Sequence, residues 1–275
     1  MIDNMIENNK TTLKKEYISV DGSFGGNQRW LRKYEDKANT LSDYGCGLIS
    51  ANDVLLHISD RQNNPSKEKY IAAVRDMNRR YFHVLPFLGV SGIMISFYMK
   101  LYLFMHKKHF KNKYKVRWGV APHNLLKRIK EMLENDIPVI LSIGPGLIRG
   151  RKAELPLYNI NQRDNLSHNS NDRKTSNKNI NRQNSNNQNS NNNNSGSQTS
   201  DITIAGSDDN YEFSRVNSVK DHYVNVTGII ESENCTMFEI SSWGKKYYIN
   251  YSEYRDYVKK HDNYLFSNIL YIKAK

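Results

Sequence analysis

Between Asn159 and Asn210 the chain reads almost entirely in Asn, Ser, Gln and Asp, including the run "NRQNSNNQNSNNNNSGSQTS". Apolar residues are few there and keep neither a helical nor a strand rhythm, so the segment has nothing to bury in return for being ordered. A fold must therefore be assembled from the two flanks of this 275-residue chain. The 65 residues after position 210 are rich in strand patterns, and those patterns complement the ones before position 159. One domain over 12–275, interrupted by a disordered 159–210 insertion and preceded by a flexible 1–11, is the expectation. A linker between two domains is the alternative.

Composition supports a globular core, with 38% hydrophobic residues in a chain this long. Two cysteines cannot build a disulfide framework, and the polar start "MIDNMIENNK" lacks the charged-then-apolar layout of a secretory signal. Free thiols in a cytoplasmic setting are expected. From Arg151 to Asn210, seven Lys or Arg face six Asp or Glu, which leaves +11 of the net +12 on the folding part.

Helical spacing appears first at Cys46 to Ser59, where Leu48, Ala51, Leu55 and Ile58 share a face. Before it, "KEYISVDGSFGGNQRWL" reads as a short strand and a Gly-rich loop, and after it Lys67 to Arg80 reads as a polar helix. The stretch Val84 to Met105 is apolar enough to raise a membrane span, yet Pro86, Gly89, Gly92 and Lys100 leave no run of the roughly 20 residues a bilayer requires. A buried core helix is predicted instead, with Ile93, Phe97, Leu101 and Phe104 inward. "HNLLKRIKEMLEND" predicts an amphipathic helix on Leu125, Ile129, Met132 and Leu133, and "IPVILSIGPG" a buried strand ending in a turn. Beyond the insertion, "DHYVNVTGIIES", "CTMFEISSWG" and "KKYYINYSEYRDYV" predict strand, strand, and strand leading into helix. A helix-rich half preceding a strand-rich half is an α+β arrangement.

The chemistry converges on two distant points. Cys46 lies between Gly45 and Gly47 at a helix start, where unpaired N–H groups and the helix dipole favour a thiolate, and the glycines would let a substrate backbone approach. His222 opens a late strand, from which an imidazole can face a helix N-terminus as a Cys-His pair requires. Ser241 precedes Trp243-Gly244 by two positions, and the indole could shield the imidazole from water.

In that order and spacing, "YGCGLISANDVLL", "IPVILSIGPG", "DHYVNVTGI" and "SSWGKKYYI" resemble the papain-like cysteine peptidases, and within them the branch related to the bacteriocin-processing (double-glycine leader) peptidases. The resemblance implies a helix-rich N-terminal half packed on a C-terminal antiparallel sheet, with a cleft between them. It implies Cys46 as nucleophile, His222 as general acid/base, a peptide or protein substrate, and neither metal nor organic cofactor. In such enzymes an Asn usually holds the imidazole where this chain has Ser241, and a Gln stands about six residues before the Cys, where this chain has Thr40. Asn39, one position away, and Gln28 in "GGNQRW" are the candidate donors to an oxyanion. A Cys-His hydrolase of peptide or amide bonds is the first expectation. A catalytically weakened peptide-binding or regulatory domain is the second.

The basic run "HKKHFKNKYKVRW", His106 to Trp118, raises nucleic-acid binding, but a solvated face is preferred and nucleic acid is not expected as a partner. His57, His83, His106 and His109 lack a second ligand cluster at metal-site spacing, "GSFGG" lacks the context of a phosphate loop, and Cys235 reads as the entry to a strand, where burial is expected over reactivity.

Overall fold

Long apolar runs after residue 139 can be satisfied only inside a sheet covered by helices, and that is the arrangement in the computed structural model, which describes residues 10–34, 40–59, 64–145, 153–162, 202–205 and 210–275. The helices are α1 (Thr40–Tyr44), α2 (Cys46–Ile58), α3 (Lys67–Met77), α4 (Gly92–Met105), α5 (Leu125–Glu134) and α6 (Tyr251–His261). The strands are β1 (Lys10–Thr12), β2 (Ser19–Val20), β3 (Ser23–Phe24), β4 (Tyr114–Trp118), β5 (Val139–Ile143), β6 (Leu155–Gln162), β7 (Ile202–Ala205), β8 (Asn210–Val219), β9 (His222–Glu231), β10 (Thr236–Ser242), β11 (Lys245–Asn250) and β12 (Ile269–Ala274).

The main sheet runs β4-β12-β5-β9-β10-β11-β6-β8-β7, each neighbour antiparallel, and β2 and β3 form a separate hairpin. The chain is α+β with a large antiparallel sheet. β9 is its organising strand: residues 222–226 pair with β5 and residues 228–230 with β1. Val224, Val226, Ile229, Phe238, Ile240 and Ile249 from the sheet meet the buried faces of α2 and α5 in one core. α5 buries Leu125, Ile129, Met132 and Leu133, as its one-sided pattern predicts.

Three expectations are corrected. α4 forms over the predicted stretch, but its buried stripe is Ile95, Met99 and Leu103. Ile93, Phe97 and Phe104 are 58%, 57% and 73% exposed. Both stripes have helical spacing, and the inner one fits because small Gly92 lies directly under the Trp118 indole of β4. The second correction concerns the insertion: residues 159–162 complete β6, 202–205 form β7 and Asn210 starts β8, so its ends belong to the sheet. Residues 163–201 and 206–209 lie outside the described residues. Third, Lys10 and Thr11, expected to be flexible, pair with Ile230 and Ile229; residues 1–9 lie outside the described residues. No described helix is long and apolar enough to cross a membrane.

Candidate functional site

α2 is buried along nearly its whole length. Its N-cap is Gly45, which offers no side chain to the first helical N–H groups. The two flanking glycines serve packing, in contrast to the expected opening for substrate. A Cβ on Gly45 would stand 2.3 Å from the Leu41 carbonyl oxygen, and one on Gly47 would stand 2.8 Å from both Val90 and Ile95. Close approach of α1 and α4 thus holds the start of α2 in place.

The opposite wall comes from the sheet. Asn225 of β9 pairs with Ser241 of β10, and a register shift between Glu239 and Ile240 sets this end of the two strands off from the ladder beyond it. β10 and β11 close on a two-residue turn, since Ser242 pairs with Lys245. Its residues, Trp243 and Gly244, both have positive φ, 50° and 74°, as a type I′ turn requires. Asn-Gly would suit that turn far better; a bulky residue there costs about 1–3 kcal/mol and persists only where its surroundings hold it. Here the indole stacks on the imidazole of His222, ring centroids 4.5 Å apart and planes 23° apart, while Asn27 Nδ2 donates to the Trp243 carbonyl.

Cys46 and His222, 176 positions apart in the chain, therefore line one cavity, together with Gln28, Asp53, Asn225 and Ser242 among others. Its volume is about 10 Å³, room for a single water molecule. Imidazole Nε2 lies 3.0 Å from Ser242 Oγ. Ser241, the residue the resemblance puts behind the ring, also lines the cavity, but its hydroxyl donates to the Phe24 carbonyl. Gln28 lines it too, with Nε2 donating to the carbonyl oxygens of Ser42 and Asp43. Asn39 lies outside the described residues.

Desolvation dominates the electrostatics, with His222 buried and Cys46 half-buried. The Cys46 thiol is pushed up to about 11, chiefly by desolvation, with the nearby Asp221 carboxylate adding to it. Backbone N–H groups of Tyr223, Gly47 and Cys46 itself pull the other way. The expected lowering by the helix terminus is thus reversed, because a dipole contribution of about 0.3–1 kcal/mol is less than one pK unit, whereas burial shifts a group by several. His222 is pushed down to about 4 by desolvation and then by the Arg29 guanidinium. At neutral pH the cavity is lined by an uncharged thiol and an uncharged imidazole.

Asp53 was not legible as a site residue, although it follows Cys46 by seven positions and so shares its helix face. Its carboxylate accepts from Gly26 N–H at 2.9 Å, Tyr70 Oη at 2.5 Å and Tyr17 Oη at 3.2 Å, and desolvation raises it to about 6. Asn225 Nδ2 donates to Tyr17 Oη and to the Ser50 carbonyl, tying β9 to α2, while its buried Oδ1 has no partner among the described residues. Among the described residues no cluster of three or more His, Cys, Asp or Glu could hold a metal ion.

Comparison with known proteins adds no assignment: no protein-family model, no curated protein and no solved structure matches the chain.

Proposed function

We propose that the chain is a papain-like thiol hydrolase acting on a peptide or other amide bond. The observation that carries the reading is a thiol at a helix start and an imidazole on one cavity, the imidazole covered by an indole on its face and partnered by a hydroxyl at Nε2. With Nε2–H donated to Ser242 Oγ, Nδ1 carries the free lone pair and takes the proton from Cys46 as sulfur attacks the carbonyl carbon. The N–H groups of Cys46 and Gly47, bare of any capping side chain, stabilise the developing oxyanion. His222 returns the proton to the leaving amine, and water, deprotonated by the same nitrogen, releases the acyl group and restores the thiol.

A second reading has its own support. The uncharged thiol and imidazole suit a domain that turns peptide over slowly or not at all. Incubating wild type and the Cys46→Ala variant with a proteome-derived peptide library, and reading cleavage and retention by mass spectrometry, separates the two. Cleavage by wild type alone supports the hydrolase. Retention of the same peptides by both proteins without cleavage supports the binding module, and neither cleavage nor retention removes both.

A further inference from the structure

The apolar face of α4 that points to solvent is joined to a concentration of positive charge. Ile93, Met94, Phe97, Leu101, Phe104 and Met105 are all exposed, and at 100° per residue they cover an arc of about 120°. The turn leading into the helix adds Phe87 and Leu88, 84% and 79% exposed, with Phe87 held at φ 64° and its ring tilted against Tyr44. So much contiguous apolar surface on one helix marks a contact with something else.

What it contacts is indicated by Lys100. Three residues after Phe97 and four before Phe104, Lys100 adjoins both on the helix surface. It also lines a groove beside α4 whose other cations are Lys115, Arg117, Arg128 and Lys273. Glu131 is the acidic partner there, pairing with Arg128 and, at 3.9 Å, with Lys273. Arg117 and Arg128 both lie over the Tyr271 ring, at 4.9 and 5.3 Å from its centroid. Lys107 and Lys108 follow the C-terminus of α4 and are exposed.

The outward face of α4 is apolar with Lys100 at its edge, and the cations of β4, α5 and β12 stand next to it, so the helix can rest its outer face in a membrane interface while its inner face stays in the core. At 14 residues α4 is about 21 Å long, too short to cross a bilayer but suited to resting in its surface. A nucleic acid would neutralise the cations but leave Ile93, Phe97, Leu101 and Phe104 in water. The +11 carried outside the Asn-rich region favours the same anionic partner.

The geometry points to peripheral docking on an anionic lipid surface, with the outer face of α4 and the 87–88 turn in the acyl boundary and the groove of cations on lipid phosphates. This docking does not depend on the hydrolase reading.

Co-sedimentation of the full chain with vesicles of phosphatidylcholine alone, or mixed with phosphatidylglycerol, tests it. Wild type is expected in the pellet with the mixed vesicles at low salt, and released as salt rises. Two double variants, Phe97→Ser/Phe104→Ser and Lys100→Glu/Lys115→Glu, are each expected to weaken that association at least about tenfold. Far-UV circular dichroism and melting temperature check that both variants stay folded. Equal binding to neutral and mixed vesicles would overturn the proposal, as would no binding to either at low salt. So would a concentration-dependent dimer that Phe97→Ser/Phe104→Ser disperses, since a second copy would then own the face. Binding to duplex DNA that survives the phenylalanine changes, with none to vesicles, would overturn it in favour of nucleic acid.

Discussion

With the Cys46 thiol held near 11 and the His222 imidazole near 4, almost no thiolate is present at neutral pH, so alkylation there is slow. The iodoacetamide rate at Cys46 should therefore keep rising between pH 8 and about 10, nearly tenfold per unit, with no plateau at neutrality. A plateau below pH 7, read by mass spectrometry, would mean a resting thiolate-imidazolium pair and refute the desolvated site. Stability carries the matching signature. His222 is depressed from 6.5, so its contribution is present above that pH and lost as pH falls through about 4. The difference in melting temperature between wild type and His222→Ala should shrink across that window. The two serines behave differently as well. Ser242→Ala removes the partner of Nε2 and should lower turnover by about tenfold or more, a share of the roughly 10²–10⁴ that acid-base catalysis supplies. Ser241→Ala should act mainly on stability, by about 1 kcal/mol for the bond to Phe24. The reverse ranking in steady-state kinetics would restore Ser241 to the role the resemblance implies.

At the scale of elements, α5 and α4 show when a hydrophobic pattern is enough. α5 has one apolar stripe on a polar helix, so its buried face is legible from Leu125, Ile129, Met132 and Leu133. α4 is apolar nearly all round, and two stripes at equal spacing compete for the core. Trp118 and the small Gly92 decide in favour of Ile95, Met99 and Leu103, and no periodicity contains that information. Thermal melts check the assignment directly. Met99→Ala should cost about 2–5 kcal/mol, whereas Phe97→Ser should stay within about 0.5 kcal/mol. If Phe97 proved the costly one, the helix would sit the other way round. The turn at Trp243 follows the same logic: β10 and β11 are legible as strands, but the left-handed turn that lays an indole on His222 exists only because the neighbouring elements hold it.

Across the whole molecule, long-range pairing binds the ends of the chain together. β4, from the helix-rich half, pairs with β12 at the C-terminus, and β1 continues the edge of β9 where β5 ends. The Asn-rich region leaves from the β6 end of this sheet and returns at β7, strands separated by β8 alone. Replacing 163–201 with a short Gly/Ser linker should therefore leave the melting temperature and the alkylation profile of Cys46 unchanged. Loop-closure entropy varies by only about 0.6 kcal/mol per doubling of length. A large loss of stability would show that the region contributes contacts to the fold.

Composition and patterning by themselves determined the α+β character, the strands of the C-terminal half, the helix at Cys46 and the low-complexity character of the insertion, because each is a local property of apolar spacing or its absence. Tertiary structure alone decided which face of α4 is buried, which serine meets the imidazole, that Asp53 and Asn225 join the site, and that the thiol is raised above its ordinary value. Those outcomes depend on how deeply a group is buried and on what stands across from it. Both are set by packing between residues far apart in the chain, which no local spacing records.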